Sequence, residues 1–204
     1  VFRMERDGKT VTQLTFEPVN VTDYDASLAD GSVAYIVNNQ LVLVHGDGSN
    51  RRVLLDGGPR ENNPWLTSPV FSPDGGTLAY AYKGLNLYNL STGASNLVIE
   101  DKFEEPQLIH GVQQSLPIET YHPRKYSPDG SKLLIHLLYT DTGSAAIYYP
   151  VDNTLVRLTG TDYDLICCGS SRIEWSADSS SFYAAIRYPG VDANGMWRVD
   201  AVTG

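Results

Sequence analysis

Short apolar runs with alternating polar positions recur along the chain and predict β-strands rather than helices. Four such runs are each followed by a short break and a second apolar run. The first runs are residues 32–37, 77–82, 132–137 and 181–186, and the second runs are 41–44, 85–88, 146–149 and 196–199. Polar turns at 46–49, 91–93 and 151–153 lead to third runs at 52–55, 96–99 and 154–159. No stretch keeps helical periodicity over three turns, so the pattern predicts an all-β protein.

A five-residue motif stands before each first run. It reads Phe-Ser-Pro-Asp-Gly at 71–75, Tyr-Ser-Pro-Asp-Gly at 126–130 and Trp-Ser-Ala-Asp-Ser at 175–179, with a weaker copy at 27–31. The aligned residues Asp30, Asp74, Asp129 and Asp178 are separated by 44, 55 and 49 residues. A near-regular spacing of this length is typical of repeat architectures.

The motif has the chemistry of a tight turn rather than of a catalytic site. Proline fixes one backbone angle, the Asp side chain caps nearby N–H groups, and glycine accepts a positive φ. Because the four aspartates belong to equivalent turns of different repeats, we expect them to lie far apart, which argues against paired carboxylate chemistry. The aromatic residue before the serine is expected to pack where neighbouring sheets meet.

A short strand entering each motif, such as 69–71 or 172–175, brings each repeat to four antiparallel strands. Four-stranded repeats of this length are the blades of a β-propeller. We predict a half blade at 1–18, blades at about 19–56, 65–101 and 123–160, and an incomplete blade at 171–204. Two strands at one end and three at the other exceed one closing blade, so we expect part of a larger propeller of roughly six to eight blades. A compact ring closed by this chain alone is the alternative.

Composition and charge narrow the range of partners. The 204 residues are 42% hydrophobic, enough for a packed core, and carry a net charge of −9 with a pI near 4.8. Nucleic acid is not expected as a partner, because phosphate binding needs clustered Lys and Arg. No apolar run approaches the roughly 20 residues that cross a bilayer, so no membrane span is expected. The two cysteines, Cys167 and Cys168, are adjacent and cannot join distant segments.

The motif and its surroundings resemble a known class of repeat. The aromatic-Ser-Pro-Asp-Gly turn, the strand after it, and the tail Ile-Tyr-Tyr-Pro-Val-Asp-Asn-Thr-Leu-Val-Arg-Leu-Thr-Gly at 147–160 are similar to TolB-type propeller repeats. Similar repeats build the propellers of prolyl oligopeptidase and dipeptidyl peptidase relatives, of some lyases and of tricorn-like proteins. The resemblance covers nearly the whole chain and implies a repeat type, because unrelated functions share these blades.

Function on a propeller is expected on the loops between blades. The longest predicted loop runs from Asp101 to Arg124, and two others run from Asp56 to Ser68 and from Gly160 to Arg172. Aromatic and arginine side chains on exposed loops are common at binding hot spots. On this ground we predict ligand or partner contacts from Arg60, Trp65, Tyr121, His122, Arg124, Tyr163 and Tyr188.

Metal binding and catalysis find little support in the sequence. His110, Glu119 and His122 carry metal-ligand groups, but their spacing matches no helical or hairpin motif, so no metal and no cofactor are expected. A Gly-x-Ser-x-Gly nucleophile elbow is absent, as are phosphate-binding and dinucleotide fingerprints. No catalytic residue is predicted. Whether the chain is itself an enzyme stays open, with a non-catalytic domain favoured.

Three functions follow as hypotheses. The leading one is a non-catalytic propeller that binds or scaffolds a protein or peptide through its inter-blade loops. The alternative is the gating propeller of a prolyl oligopeptidase or dipeptidyl peptidase-type serine peptidase, whose hydrolase domain would lie elsewhere in the parent chain. A third is a propeller enzyme acting on acidic sugars with a loop-bound metal, which the acidic charge disfavours because polyuronates prefer basic clefts. The resemblance also implies a periplasmic or extracellular location.

Overall fold

The computed structural model describes residues 1–59, 64–109, 112–139, 143–158, 173–186 and 195–202. These residues form twenty β-strands and no helix, which confirms the all-β prediction. A helix long and apolar enough to cross a bilayer is accordingly not found among them.

The first half of the chain forms a hairpin and two four-stranded sheets. The hairpin pairs β1 (Phe2–Met4) with β2 (Val11–Gln13). The first sheet has the order β3-β4-β5-β6, with β3 (Val21–Ala26), β4 (Val33–Val37), β5 (Gln40–Val44) and β6 (Arg52–Asp56). The second has the order β7-β8-β9-β10, with β7 (Thr67–Phe71), β8 (Thr77–Ala81), β9 (Gly84–Asn89) and β10 (Ser95–Glu100). Strands that follow one another along the chain are thus neighbours in their sheet.

The second half contains strands where the sequence predicted a loop. After β11 (Lys102–Phe103) come β12 (Gln107–Ile109) and β13 (Val112–Gln114), which pair with each other, and the ten-residue β14 (Pro117–Tyr126). A five-stranded sheet has the order β11-β14-β15-β16-β17, with β15 (Leu133–Leu138), β16 (Gly143–Tyr149) and β17 (Thr154–Arg157). A three-stranded sheet follows, with β18 (Ile173–Trp175), β19 (Ser181–Ile186) and β20 (Gly195–Asp200). The prediction of one long loop from Asp101 to Arg124 is therefore wrong.

The chain divides by its contacts into two compact units. The first is Val1–Tyr82 with Asn86–Asn96, and the second is Lys83–Leu85 with Leu97–Gly204. One core of the first unit joins Phe71 and Leu78 to Ile36 and Leu41. The core of the second joins residues of β15 and β16 to those of the three-stranded sheet, where the Trp175 and Phe182 rings meet edge to face at 5.6 Å. Each fully buried large apolar side chain contributes about 1.5 to 3 kcal/mol to stability.

The repeated motif forms the turns that join β3 to β4, β7 to β8, β14 to β15 and β18 to β19. In the third copy the Ser127 hydroxyl donates to Asp129 Oδ1 at 2.6 Å and accepts from the Lys132 N–H at 3.0 Å. The Ser131 N–H also donates to Asp129. These bonds hold the pKa of the Asp129 carboxyl well below its usual range, the serine hydroxyl contributing most. The copies at 71–75 and 175–179 contain the same bonds, so the turn interpretation of the motif is confirmed.

The motif residue after the aspartate and the aromatic residue that opens the motif also have the same roles in different copies. The third-copy Gly130 has φ of 72°, and the fourth copy places Ser179 at φ of 58° in the same left-handed region. The aromatic residue packs between sheets as predicted, because Phe71 lies in a core with β4 and β5 and the Trp175 indole N–H donates to the Lys125 carbonyl of β14. Chemistry that recurs in each repeat thus connects consecutive sheets within each unit.

Glycine is required at one further position. Gly84 begins β9 with a φ of 138°, a backbone conformation that residues other than glycine rarely adopt. A Cβ atom there would lie 2.0 Å from the Ile99 carbonyl oxygen of β10. The two strands therefore approach closely only because Gly84 has no side chain.

Candidate functional site

In the first unit, Asn39 holds the connection between β6 and β7. Asn38 and Asn39 form the two-residue turn between β4 and β5, both with positive φ, at 49° and 58°. The buried Asn39 amide donates to the carbonyl oxygens of Gly58 (3.1 Å) and Pro64 (3.2 Å), and its oxygen accepts from the Leu66 N–H (2.8 Å). One side chain thereby fixes the backbone on both sides of residues 60–63.

Trp65 lies inside this fixed segment. Its side chain is 59% exposed, although the next residue, Leu66, is buried in the core of the first unit. The backbone before and after the indole is bonded to Asn39, so Trp65 is presented to solvent from a constrained position. The structure therefore agrees with the predicted exposure of Trp65.

In the second unit, β14 carries three of the predicted binding residues. Its side chains alternate between buried and partly exposed from Glu119 to Pro123, as expected for a strand with two unlike faces. Tyr121 lies on the buried face and is only 2% exposed, so its predicted exposure on a loop is wrong. Burial, reinforced by a hydrogen bond to Glu119, raises the pKa of the Tyr121 phenol. Tyr121 is therefore available for packing rather than for contact with a partner.

Beside Tyr121 lies a carboxyl group with an unusual acidity. Asp101 Oδ1 accepts a hydrogen bond from the Tyr121 backbone N–H at 3.0 Å. Burial raises the pKa of Asp101 from 3.8 to about 6, and the neighbouring charge of Glu100 adds to the rise. The hydrogen bond acts in the opposite direction but does not offset the burial. Asp101 therefore loses its proton only near neutral pH.

Glu119, on the same face as Tyr121, is held by an arginine from the far edge of the sheet. Arg157 of β17 donates from one nitrogen to both carboxylate oxygens of Glu119, at 2.5 and 2.7 Å, and from another to the Tyr139 hydroxyl at 2.8 Å. The Glu119 side chain is 7% exposed, and Lys102 approaches it at 3.7 Å. Both carboxylate oxygens of Glu119 are thus occupied, and the ion pair connects β14 to β17, the last strand of the sheet.

The opposite face of β14 carries Thr120 and His122. In the strand register His122 stands directly opposite His136 of β15, so the two imidazoles share a face. Thr120 Oγ1 lies 3.1 Å from His122 Nε2 at hydrogen-bond distance. Burial, together with a smaller effect of the nearby Arg124 charge, lowers the pKa of each imidazole to about 4. Both histidines are therefore neutral at pH 7.

Arg124 occupies an irregular position in β14. Pro123 pairs with Ile135 and Lys125 with Leu134, so Arg124 is the extra residue of a β-bulge. Its guanidinium is only partly exposed and makes no hydrogen bond or ion pair with the described residues. Lys125, by contrast, is paired with Glu174 at 2.6 Å. The structure thus brings one unpaired positive charge close to two neutral imidazoles and a hydroxyl.

The other predicted site residues divide into two groups. Arg60, His110, Tyr163 and Tyr188 lie outside the described residues. Glu119 and His122 are three positions apart on β14 and project from opposite faces, so they cannot bind the same metal ion. Within the described ranges no group of three or more His, Cys, Asp or Glu side chains is arranged to hold a metal.

Sequence reasoning missed three residues of this region. They are His136, Thr120 and Arg157, none of which is among the predicted site residues. The signal for Thr120 was its two-residue spacing from His122, which in a strand means a common face. For His136 and Arg157 no local signal exists, because their roles depend on pairing with β14 and on its face.

Known proteins are similar to this chain in structure but not in sequence. Neither a protein-family model nor a curated protein sequence matches the chain. Solved structures do match. A TolB-like protein from Agrobacterium tumefaciens superposes with a TM-score of 0.65 and 14% identity, over 99% of this chain and 71% of that protein. An oligogalacturonate lyase in complex with manganese gives a TM-score of 0.62 and 15% identity, over 98% of this chain and 53% of the lyase.

A third structural relative is a peptidase. Dipeptidyl peptidase 4 from Porphyromonas gingivalis superposes with a TM-score of 0.58 and 14% identity, over 95% of this chain and 33% of the peptidase. Identities this low establish a common fold and not a common activity. With its repeated antiparallel sheets and recurring turn bonds, the chain therefore has the β-propeller fold of TolB-like and dipeptidyl peptidase N-terminal-like proteins, as its repeats predicted.

Proposed function

We propose that this β-propeller domain is a non-catalytic binding module that recognises a peptide or an extended segment of a protein. The proposal rests chiefly on Trp65, a large aromatic side chain that is 59% exposed on a backbone held at both ends by Asn39. Exposed aromatic anchors on constrained segments lose little entropy on binding and are frequent hot spots.

The second unit supplies polar groups that suit the same role. Arg124 and His122 are the described members of the predicted contact set there that are partly exposed, since Tyr121 is buried. Arg60, Tyr163 and Tyr188 remain predicted contacts. Neutral imidazoles, a hydroxyl and a guanidinium can all donate hydrogen bonds to peptide oxygens. A periplasmic or extracellular location is proposed on the resemblance to TolB-type repeats alone.

Selection of peptides tests this function directly. Random displayed peptides would be selected on the immobilised chain, and the dissociation constant of enriched sequences measured by fluorescence anisotropy. We expect enrichment of a common sequence, and Trp65→Ala should weaken its binding about tenfold, or about 1.4 kcal/mol. Phe16→Ala is the matched control, because Phe16 is an exposed aromatic of the same unit outside the proposed site. Failure to enrich any sequence over a heat-denatured sample would contradict the proposal.

The alternative function is the gating propeller of a serine peptidase. The observation that favours it is the superposition on dipeptidyl peptidase 4, which covers 95% of this chain but 33% of the peptidase. A native polypeptide carrying a further hydrolase segment with a Ser-Asp-His triad would support this reading. The mass and sequence of the polypeptide from its source would decide between the two functions.

A further inference from the structure

The bulge in β14 places Arg124 where a strand residue would not normally stand. A bulge leaves its extra residue outside the ladder of paired residues and re-aims its side chain. Here the ladder passes from Pro123 to Lys125 and leaves Arg124 out. Arg124 comes two positions after His122 on β14, and His122 stands opposite His136 in the register, so the three residues lie in one short stretch of two paired strands. The lowering of both imidazole pKa values by the Arg124 charge agrees with this placement.

Counted over the part of the chain that the structure describes, the charges around Arg124 sum to one positive unit. Lys125 is neutralised by Glu174 at 2.6 Å, and the two imidazoles are neutral at pH 7 because they are buried. Glu119 and Arg157 neutralise each other on the opposite face of the strand. Among the described residues Arg124 is therefore the charge without a counter-ion. A partly buried charge in that position is costly unless a ligand supplies the opposite charge.

The donors around Arg124 define the chemistry of that ligand. A guanidinium offers a planar fork of N–H groups that matches the two oxygens of a carboxylate. Thr120, His122 and His136 stand beside it as neutral hydrogen-bonding groups, which add bonds without adding charge. A single positive charge is balanced by a monoanion, whereas a phosphate of charge near −2 would remain half compensated in a chain of net charge −9.

We propose that Arg124, with His122, His136 and Thr120, forms a binding seat for one carboxylate group of a bound peptide, from an acidic side chain or the C-terminus. This inference rests on the proposed function, since it names the group that the peptide would present. Bidentate binding of a carboxylate by Arg124 would complete the charge balance of the β14 face.

Short peptides with and without a carboxylate test the seat. The full chain would be titrated with N-acetyl-Ala-Glu-amide and with N-acetyl-Ala-Gln-amide, while the ring signals of His122 and His136 are followed by NMR. N-acetyl-Ala-Ala with a free C-terminus separates a terminal carboxylate from a side-chain one. We expect saturable shifts of both rings with a carboxylate probe, and binding of the Gln probe at least about tenfold weaker. Equal affinity for the Glu and Gln probes, with no binding of the C-terminal probe, would overturn the inference.

Variants of the arginine give a second, independent measurement. Arg124→Gln should weaken binding of the carboxylate probe at least about tenfold, and Arg124→Lys should retain part of it because the charge remains without the fork. Arg52→Gln is the matched control, since Arg52 is an exposed arginine of β6. An unchanged affinity in Arg124→Gln would overturn the seat. The comparison of probes on the unaltered chain still decides the question if this variant does not fold.

Two further outcomes separate this inference from the proposed function. If selected peptides bind the chain but Arg124→Gln leaves their affinity unchanged, the carboxylate seat is wrong and peptide binding stands. If galacturonate shifts both histidine rings and no peptide probe does, the anion comes from a sugar. That result overturns the peptide carboxylate, and the proposed function with it if peptide selection also fails.

Discussion

Replacing Asp101 with asparagine should stabilise the protein at neutral pH. Asp101 is about half-buried, and its carboxylate accepts a hydrogen bond from the Tyr121 backbone N–H. Asparagine keeps an acceptor oxygen of the same size and removes the negative charge. The substitution therefore isolates the cost of ionising this carboxyl group in a poorly hydrated place.

The raised pKa of Asp101 sets the size and the sign of the stabilisation expected from Asp101→Asn. The pKa of Asp101 rises from 3.8 to about 6 on folding, and one pKa unit corresponds to about 1.4 kcal/mol. The full difference of about 3 kcal/mol is reduced by the carboxyl's remaining contact with solvent, so we expect a gain of about 1 to 2 kcal/mol at pH 7. A raised carboxyl pKa means that the folded state binds more protons between pH 4 and 6. The gain of Asp101→Asn should thus be absent below pH 4, grow through this window and be constant above it.

Urea unfolding at several pH values measures this difference. The free energies of unfolding of Asp101→Asn and the unaltered chain would be compared from pH 3.5 to 8, with tryptophan fluorescence as the signal. Asp129→Asn is the control of opposite sign, because the pKa of Asp129 is lowered by its turn and its ionised form stabilises the fold. A loss of stability in Asp101→Asn at pH 7, or a gain that does not vary with pH, would refute the reasoning.

Three other substitutions have clear expectations. Gly84→Ala should lower the free energy of unfolding by about 3 kcal/mol or more, because a Cβ collides with a carbonyl of β10; a loss under 1 kcal/mol in urea unfolding contradicts this. Arg157→Met should cost about 2 to 3 kcal/mol by leaving Glu119 buried without its partner, and a double-mutant cycle with Glu119→Gln should recover part of it. Asn39→Ala should cost about 2 to 4 kcal/mol by removing three hydrogen bonds. Asn38 also has a positive φ but does not make those bonds, so Asn38→Ala should lower the free energy of unfolding clearly less in the same urea assay.

The repeat could be read from the sequence because its chemistry is local. The bonds among Ser127, Asp129 and Lys132 lie within six residues, and each copy repeats them with the same residue types. The aromatic residue before the serine was likewise predictable as a packing group, as Trp175 shows. Fold class and turn chemistry therefore followed from pattern alone.

The region before the third motif could not be read in this way. Lys102 pairs with Glu119, and nothing in the intervening residues marks that partnership. Pro117 and Pro123 within β14 also argue locally against a strand, since proline is confined to strand starts, edges and bulges. Pro117 begins β14 and Pro123 stands next to the bulge, so both prolines occupy positions that a strand tolerates. Their presence nevertheless made β14 hard to predict from the sequence.

The proposed carboxylate seat likewise contains residues that the sequence predicted and residues that it did not. His122 and Arg124 were found because their residue types are common in binding sites. His136 became part of the site only through its register opposite His122, and the bulge at Arg124 depends on how β14 meets β15. Long-range pairing, which sequence pattern does not encode, decides which side chains share a face.

The Asn39 hydrogen bonds have a consequence for how this propeller can vary. The Asn39 side-chain amide donates hydrogen bonds to the carbonyl oxygens of Gly58 and Pro64, and so fixes the backbone on either side of residues 60–63. With both ends already positioned, lengthening the chain between them costs only about 0.6 kcal/mol for each doubling of the loop. New sequence could therefore be inserted there without moving β6 or β7. The connection between Gly58 and Pro64 is therefore a suitable place to graft a recognition loop, and such a design should retain Asn39.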